Sequence, residues 1–333
     1  MKEESSSSLL PSESTQILER TKDSTNPSWG SDPQKRPISD HLRLGVIAID
    51  KPSGPSSHEV VAWIKRMLAL DHAGHAGTLD PAVTGVLPVA LQDATKALAG
   101  MIHASKQYVC IMRMHADTPR KTVDSVIREF IGPIYQRPPL RSAVKREVRV
   151  RKIFSIEVLE TTSRDALFKV NCQAGTYIRK LCYDIGNVLG SGAHMKELRR
   201  TRSGPFLEGD GLTTLQDLQD AYTVWREEGD EMELRRLVKP VEASAWHLGK
   251  IYIRDSAVDA ICHGASLAVP GIVKLDPGIK KDSVVAIMTL KGELVSIARS
   301  VMSSDEMFKA DHGIAALTDR VIMNPEVYPR MWG

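Results

Sequence analysis

The sequence predicts an α+β fold built on a mostly antiparallel sheet. Five short apolar runs that are typical of strands lie between residues 45 and 172, with helix-like segments interspersed among them. Near the C-terminus, two alternating apolar runs flank Lys291-Gly292-Glu293, a pattern that predicts a β-hairpin. Strands that cluster with interspersed helices indicate α+β architecture, since a parallel sheet needs a regular strand and helix alternation.

Individual elements follow from the spacing of apolar residues. Ser57 is predicted to cap a first helix, whose apolar stripe runs from Val60 to Leu68 at helical period. A second helix is predicted around residues 123–131 and a third over residues 177–189. The predicted strands cover residues 45–49, 86–91, 108–114, 148–159 and 167–172.

The most informative motif is the turn Gly74-His75-Ala76-Gly77-Thr78-Leu79-Asp80-Pro81. Gly74 and Gly77 permit backbone conformations closed to other residues and allow a ligand to approach the main chain. Pro81 has no N–H and restricts the chain just after Asp80. The motif therefore predicts one carboxylate on a rigid bend that a planar substrate can reach.

Three further segments occur in a fixed order around this turn. Residues 50–63 begin Asp-Lys-Pro-Ser-Gly, residues 106–109 read Lys-Gln-Tyr-Val, and residues 175–181 read Gly-Thr-Tyr-Ile-Arg-Lys-Leu. Together with the Asp80 turn, these segments resemble the TruB and dyskerin family of RNA pseudouridine synthases. The resemblance extends from about residue 30 to the C-terminus.

This resemblance implies a catalytic site made of Asp80, Tyr108 and Arg179. Isomerising uridine breaks a glycosidic bond, turns the uracil and joins its carbon to the same sugar, so it requires a nucleophile but no cofactor and no metal. Asp80 corresponds to the family nucleophile, Arg179 would hold that carboxylate ionised, and Tyr108 would lie flat against the flipped base. Attack on the sugar C1′ or on the uracil C6, and the acceptor of the C5 proton, both stay open.

Composition and charge favour an RNA-binding protein. The net charge is only +3, but residues 137–202 hold 15 Lys or Arg against 6 Asp or Glu. Such a basic segment favours a polyanion, although a solvated charged face is an alternative. The four scattered cysteines are expected to be reduced thiols. No apolar run approaches the roughly 20 residues of a membrane span, so an intracellular, cytoplasmic protein is expected.

The chain is expected to divide into four parts. Residues 1–28 are rich in Ser, Thr and charge and are interpreted as a disordered tail. The resemblance implies that residues 29–44 form a lead-in packed on the C-terminal domain. It also implies a catalytic domain over residues 45–247 and a PUA domain, a small RNA-binding β-barrel, over residues 248–333. The acidic stretch after Phe206 is expected to be partly helical and to face either solvent or protein partners.

The remaining predicted site residues are RNA contacts. Residues 137–146 combine Pro-Pro with basic residues and are predicted to form a mobile loop that grips RNA. The expected contacts in the catalytic domain are Lys51, His58, His75, Lys106, Arg141, Lys145, Arg146 and Tyr177. The resemblance places the PUA groove at His263, Gly264, Ala265 and Leu267.

Within the family, the chain is most similar to the dyskerin branch in its archaeal form. The lead-in before Gly45, the Ile261-Cys262-His263-Gly264-Ala265 segment and the order of residues 135–145 indicate this branch, and the Lys-rich eukaryotic tails are missing. The implied partners are an H/ACA guide RNA, a substrate RNA, a small zinc-ribbon-like protein, a small β-barrel protein and, through RNA, a kink-turn binding protein. The implied substrate is ribosomal RNA, with transfer RNA as a further candidate.

Two other functions stay open at this stage. The chain could be a standalone transfer-RNA pseudouridine-55 synthase, which would act without guide or partners. It could also be a non-catalytic RNA-binding scaffold, in which case Asp80→Asn would leave modification of the bound RNA unchanged.

Overall fold

Two β-sheets organise the computed structural model, which describes residues 16–138, 145 and 147–331. The first strand, β1 (Leu18–Glu19), belongs to the smaller sheet. The larger sheet contains β2 (Gly45–Lys51), β3 (Ala73–His75), β4 (Thr84–Leu91), β5 (Lys106–Met114), β6 (Gly132–Gln136), β7 (Arg149–Thr161), β8 (Asp165–Cys172), β9 (Ala193–Ser203), β10 (Phe206–Leu207) and β11 (Lys239–Pro240). Its strand order is β11-β2-β4-β9-β5-β8-β7-β6, with β3 on β4 and β10 on β9.

Pairing in the larger sheet is antiparallel except where β4 meets β9 through Thr84 and Gly85. The long β5 lies between β8 and β9 and pairs antiparallel with both. The α+β prediction with a mostly antiparallel sheet is thereby confirmed. The five predicted strands correspond to β2, β4, β5, β7 and β8.

Apart from β1, the strands of the smaller sheet lie in the C-terminal part of the chain. Its strands are β12 (Gly249–Ile253), β13 (Leu267–Ala268), β14 (Ile272–Leu275), β15 (Val284–Thr289), β16 (Leu294–Ser300) and β17 (Ile314–Val321). The order is β1-β14-β12-β15-β16-β17-β13. β15 and β16 pair antiparallel around Lys291-Gly292-Glu293, which confirms the predicted hairpin.

Helices cover the sheets and carry several of the site residues. They are α1 (Ile38–Arg43), α2 (Ser57–Met67), α3 (Leu98–Ile102), α4 (Arg120–Glu129), α5 (Ile178–Leu189), α6 (Leu215–Glu228), α7 (Met232–Leu237), α8 (Asp255–Cys262) and α9 (Ser304–Lys309). Short 3-10 turns occupy Pro33–Lys35, Gln92–Ala97, Glu208–Asp210, Val241–Ala245 and Val269–Gly271. The three predicted helices are α2, α4 and α5, and the acidic stretch includes α6 and α7. In the described part of the chain, no helix is long and apolar enough to cross a membrane.

The cap of α2 differs from the prediction by one residue. Ser56, not Ser57, accepts from the backbone N–H of Glu59, and Glu59 returns a bond to the Ser56 backbone. This is a capping box, which satisfies two backbone donors at the helix start. Ser57 is consequently free to make a different contact, with the turn that carries Asp80.

The expectation of a disordered tail is wrong for residues 16–28. Leu18 and Glu19 pair with Leu275 and Lys274 in the smaller sheet. Arg20 donates to the carbonyl oxygens of Val269 and Ala310, both on the same domain. Polar composition concealed this segment because backbone pairing and a charged side chain make these contacts. Residues 1–15 lie outside the described residues.

The segment before β2 is held at the junction of the two sheets. Arg36 makes two hydrogen bonds of 3.0 and 2.8 Å with the carboxylate of Glu242, and both side chains are buried. The same carboxylate accepts from the backbone N–H of Leu294 on β16 at 2.9 Å. A shared apolar cluster that includes Val46 and Ile297 fills the space between the sheets. Glu242 therefore joins three parts of the chain at one point.

All four cysteines are buried free thiols, as the sequence predicted. Cys110 and Cys182 lie with their Sγ atoms 3.5 Å apart beneath the sheet. Burial raises the pKa of the Cys172 thiol to about 12, so this thiol stays neutral at physiological pH.

Candidate active site

Asp80 lies on the turn that links β3 to β4. Its backbone carbonyl accepts from the N–H of Val83 at 2.9 Å, which closes the turn. Gly77 has φ +95°, in the region that favours glycine, as the sequence predicted. The prediction is wrong for Gly74, which has no positive φ. A Cβ there would lie 2.9 Å from Leu98 Cδ1, so packing restricts this position.

Three side chains hold the backbone of this turn from below. The Ser57 hydroxyl accepts from the N–H of Leu79 at 2.8 Å and contacts its carbonyl oxygen at 3.1 Å. The ammonium group of Lys51 donates to the carbonyl oxygens of Pro81 and Val83 at 3.0 and 2.9 Å. Arg200 donates to the carbonyl of Gly77 at 3.1 Å. The position of the Asp80 backbone is therefore set by buried donors on α2, β2 and β9.

Arg179 lies in the first turn of α5 and contacts the carboxylate of Asp80 through its Nη2 atom. The helix begins at Ile178, and the preceding Tyr177 backbone is fixed by both amide atoms of Gln136, at 2.9 and 3.1 Å. The two charged side chains are 56% and 55% exposed. The ion pair forms at an open surface that a substrate can approach.

Tyr108 lies on β5, is 9% exposed and is close enough to Asp80 to be influenced by its charge. Its cross-strand partner on β9 is Arg200. Burial raises the pKa of Tyr108, and the Arg200 cation opposes this increase. The structure thus brings Asp80, Tyr108 and Arg179 to one place, as the family resemblance implied.

Arg200 was not among the predicted site residues. The sequence marks it only as one of 15 Lys or Arg in the basic segment 137–202. In the structure Arg200 and Arg202 are 1% and 7% exposed, while Arg199 is paired with Asp50 and Glu208. The buried alternation of residues 200 and 202 on β9 was a signal that could have separated them from surface cations.

The structure contradicts two predicted RNA contacts in the catalytic domain. Lys51 is fully buried, with its ammonium group bonded to the carbonyl oxygens of Pro52, Pro81 and Val83. Lys106 is 4% exposed and donates to the carbonyls of Met101 and Ala104. Burial lowers the pKa of Lys106 to about 7, with Arg200 and Arg202 acting in the same direction. Neither ammonium group is available to a phosphate.

Two other predicted contacts, His58 and His75, lie beside the Asp80 turn. Their rings meet edge to face with centroids 5.0 Å apart, and His58 is exposed at the start of α2. Burial lowers the pKa of His75, and both His58 and Arg200 lower it further. His75 is therefore neutral at physiological pH and provides a flat surface instead of a charge. Tyr177 is partly exposed next to Arg179.

Arg141 and Arg146 lie outside the described residues, so the mobile RNA-gripping loop stays a prediction. Lys145 is exposed and pairs with Glu147. In the smaller sheet's domain, Gly264 and Ala265 are exposed after α8, and His263 is half exposed with Asp259 as its neighbour. Leu267 is 1% exposed within the apolar core, so its side chain does not face a groove as expected.

Models of known families match along the whole of this architecture. The TruB family pseudouridylate synthase N-terminal domain matches residues 65–178, and the tRNA pseudouridylate synthase B C-terminal domain matches residues 179–245. The PUA domain matches residues 249–322, and the DKCLD domain matches residues 4–61.

Relatives are similar over nearly their full length. A protein of Methanosarcina barkeri named "Probable tRNA pseudouridine synthase B" is 55% identical over 97% of this chain and 96% of its own length. One from Pyrococcus abyssi with the same name is 55% identical over 95% of both chains.

Solved structures with the same fold include a chain of a Cbf5-Nop10-Gar1 complex. It shares 53% identity and a TM-score of 0.91, covering 96% of this chain and 98% of that one. A chain of an H/ACA RNP bound to a substrate RNA containing 2′-deoxyuridine shares 50% identity and a TM-score of 0.89, over 96% and 98% of the two chains. With these similarities and the Asp80, Tyr108 and Arg179 arrangement, the chain belongs to the TruB family of pseudouridylate synthases and carries a PUA domain.

Proposed function

We propose that this chain isomerises uridine to pseudouridine in RNA as the catalytic subunit of an H/ACA guide ribonucleoprotein, with Asp80 as the nucleophile. The observation that carries the proposal is the exposed ion pair of Asp80 and Arg179, with the Asp80 carboxylate acting electrostatically on the buried Tyr108. A carboxylate in this position can form a transient covalent bond with a flipped nucleotide. Arg179 pairs with this carboxylate and can hold it in place for the attack.

The exposure of the pair suits a substrate that arrives as a flipped base. About half of each side chain is accessible, and docking of RNA would exclude the water that now solvates them. Exclusion of water strengthens the attraction between the two groups. The ring and hydroxyl of the buried Tyr108 would contact the pyrimidine once the base enters the site. We assign ribosomal RNA as the substrate, with transfer RNA as a further candidate.

The proposed partners follow from the similarity to ribonucleoprotein subunits. The Cbf5 chain assembled with Nop10 and Gar1 is 53% identical, and its match covers both sheets of this protein. We assign to this chain two small protein partners of the same kinds, a guide RNA and a substrate RNA. A kink-turn binding protein would join through the guide RNA. Selection of the uridine would then depend on base pairing with the guide. The PUA domain and the catalytic domain would recognise the RNA backbone and the shape of the RNA helix.

A second function is favoured by a different observation. The two archaeal relatives described above are named as transfer-RNA pseudouridine synthases. A standalone activity predicts conversion of bare transfer RNA by the purified chain. The guided activity predicts conversion only when a guide RNA and the protein partners are present.

One assay tests both the chemistry and the assembly. Pseudouridine formation is measured with wild type, Asp80→Asn and Asp71→Asn, each with and without an H/ACA guide and partners. Asp71 is an exposed carboxylate two residues before β3, outside the Asp80 turn, so Asp71→Asn is the matched control. The proposal expects guide-dependent turnover that is abolished only by Asp80→Asn, with RNA binding retained. Turnover by Asp80→Asn at the wild-type rate would exclude Asp80 as the nucleophile.

A further inference from the structure

Arg151 on β7 packs against the turn that leads into α5. Its cross-strand partner on β6 is Ile134, and its side chain is partly exposed. On the turn, Gly175 has φ +78°, a conformation that favours glycine. A Cβ on Gly175 would lie 3.1 Å from the Nε atom of Arg151 and 3.3 Å from its Nη2 atom. A side chain at position 175 would therefore displace the guanidinium group, and the glycine leaves the space that Arg151 occupies.

Hydrogen bonds fix this turn to β7. The backbone N–H of Gln173 donates to the carbonyl of Lys152 at 2.9 Å, and the N–H of Lys152 donates to the Gln173 side chain at 3.1 Å. The Thr176 hydroxyl donates to the carbonyl of Gln173 at 2.7 Å and closes the turn. The same segment continues to Arg179, which contacts the Asp80 carboxylate. The strand that carries Arg151 is therefore tied to the segment that places Arg179 in the site.

The charge of Arg151 has no carboxylate partner in the described part of the chain. Among the described residues its guanidinium group donates one hydrogen bond, from Nη1 to the carbonyl of Val150 at 2.9 Å, and its covered Nε atom has no acceptor. Residues 137–146, which precede β7, contain no Asp or Glu. Arg179 differs, because it pairs with Asp80. Since a guanidinium group has five N–H donors, Arg151 has donors available for an external acceptor.

A phosphate group suits these donors. The planar guanidinium group can bind two phosphate oxygens through parallel hydrogen bonds, which an ammonium group cannot do. Arg149 and Lys152 on the same strand are also cations, and a run of cations attracts a polyanion. In the proposed reaction, the backbone phosphates next to the extruded uridine have this chemistry and lie close to the reacting groups.

We propose that Arg151 binds a backbone phosphate of the substrate strand next to the target uridine, and that Gly175 leaves the space this contact needs. The inference deepens the proposed function and rests on it for the identity of the RNA. A phosphate contact positions the strand and carries no sequence information, which agrees with selection of the uridine by a guide. Because β7 and the Gly175 turn are tied together, Arg151 sets the distance between the bound phosphate and Arg179.

A scan of individual phosphates is the direct test. Substrate binding to the guide-loaded complex is measured in Asp80→Asn protein, with Arg151 kept or changed to Met. Each phosphate near the target uridine is replaced in turn by an uncharged methylphosphonate, and the guide strand is scanned in the same way. One replacement in the substrate strand should weaken binding about tenfold when Arg151 is present and less than about twofold in Arg151→Met. Absence of such a phosphate would overturn the proposal, and coupling to a guide phosphate would overturn the substrate assignment.

Salt dependence supplies a second measurement. Loss of one phosphate contact should reduce the slope of log affinity against log salt concentration by about 0.7 to 1 in Arg151→Met. Arg226→Met removes an exposed arginine of α6 and should keep the wild-type slope. Arg151→Lys should keep the slope and lose part of the affinity, since it retains the charge without the planar fork. A slope in Arg151→Met equal to that of Arg226→Met would assign Arg151 to solvent or a protein partner and refute the phosphate contact.

Gly175→Ala tests the space left for Arg151. Gly190→Ala is the control, since Gly190 has φ +75° and a Cβ there would have no described atom within 4 Å. Both substitutions strain the backbone, but only Gly175→Ala should weaken substrate binding, by about as much as Arg151→Met does. In an Arg151→Met background, Gly175→Ala should add little further loss. Additive losses would mean that the two residues act independently and would contradict the assigned role of Gly175.

Failure of the Arg151 contact is distinguishable from failure of the catalytic assignment. Turnover by Asp80→Asn at the wild-type rate would exclude Asp80 as the nucleophile, but the coupling between Arg151 and a phosphate would remain measurable as binding. Absence of that coupling, with turnover that still requires Asp80 and the guide, would exclude the Arg151 contact alone.

Discussion

The ammonium group of Lys51 lies 3.0 Å from the carbonyl oxygen of Pro81, the residue that follows Asp80, the proposed nucleophile. Lys51 is inaccessible to solvent and also bonds the carbonyls of Pro52 and Val83. Lys51 therefore stabilises the backbone of the turn that carries Asp80, and its charge is not accessible to RNA.

Lys51→Met should weaken both the fold and the reaction. Three carbonyl oxygens would lose their donor, and the one on Val83 is buried, so we expect a loss of about 1–3 kcal/mol in unfolding free energy. Turnover should fall because the Asp80 turn loosens, while RNA affinity stays near the wild-type value. Urea denaturation and an RNA-binding titration check this. A large loss of RNA affinity with unchanged stability would instead support a direct RNA contact.

Arg179→Ala should remove most of the activity while leaving RNA binding nearly intact. Asp80 would lose its ion-pair partner, and we expect a decrease of about 10²- to 10³-fold in single-turnover rate. Arg179→Lys should restore only part, because an ammonium group cannot make the paired bonds of a guanidinium. Arg128→Ala, an exposed arginine on α4, controls for the loss of one positive charge. Equal turnover in Arg179→Ala and wild type would remove Arg179 from the site.

Gly85→Ala should destabilise the protein more than Gly132→Ala does. Both glycines have positive φ, at +99° and +119°, so both substitutions strain the backbone by about 1–3 kcal/mol. Only at Gly85 would the new methyl group overlap the Arg200 backbone, whereas Gly132 faces open space. The overlap should add about 1–3 kcal/mol, measured as the difference between the two variants in denaturation. Equal losses would mean that β4 and β9 can separate freely.

The stability of the protein should depend on pH through Lys106. Its folded pKa of about 7 lies below the ordinary lysine value, so the unfolded chain binds more protons above pH 7. Desolvation therefore costs stability at low pH, and the cost is relieved as the pH rises above about 7. The Lys106 contribution should increase the unfolding free energy by up to about 1.4 kcal/mol per pH unit between pH 7 and 9. Denaturation of wild type and Lys106→Met at several pH values isolates this slope, which would be the same in both if Lys106 were solvated.

The amino-acid sequence determined the main elements and which residues we propose as the reacting groups. Apolar spacing was sufficient for α2, α4 and α5 and for the main strands, since helix and strand periods are local properties. The motif order was sufficient to single out Asp80, Tyr108 and Arg179 as the proposed reacting residues, because the family resemblance assigns these roles by motif. The structure brings these three together from a turn, a strand and a helix separated by up to 99 positions in the chain.

Tertiary structure alone decided which cations are available to RNA. Lys51 and Lys106 are indistinguishable from surface cations by local pattern, yet both are buried with their ammonium groups bonded to backbone carbonyls. The fate of a long charged side chain depends on which strands lie next to it, and that is set by non-local pairing such as the β4 and β9 contact. The same reason applies to residues 16–28, whose polar composition hides a strand and an arginine anchored to the distant PUA domain. Burial and partner choice are properties of the assembled sheets, so they emerge only when the chain is folded.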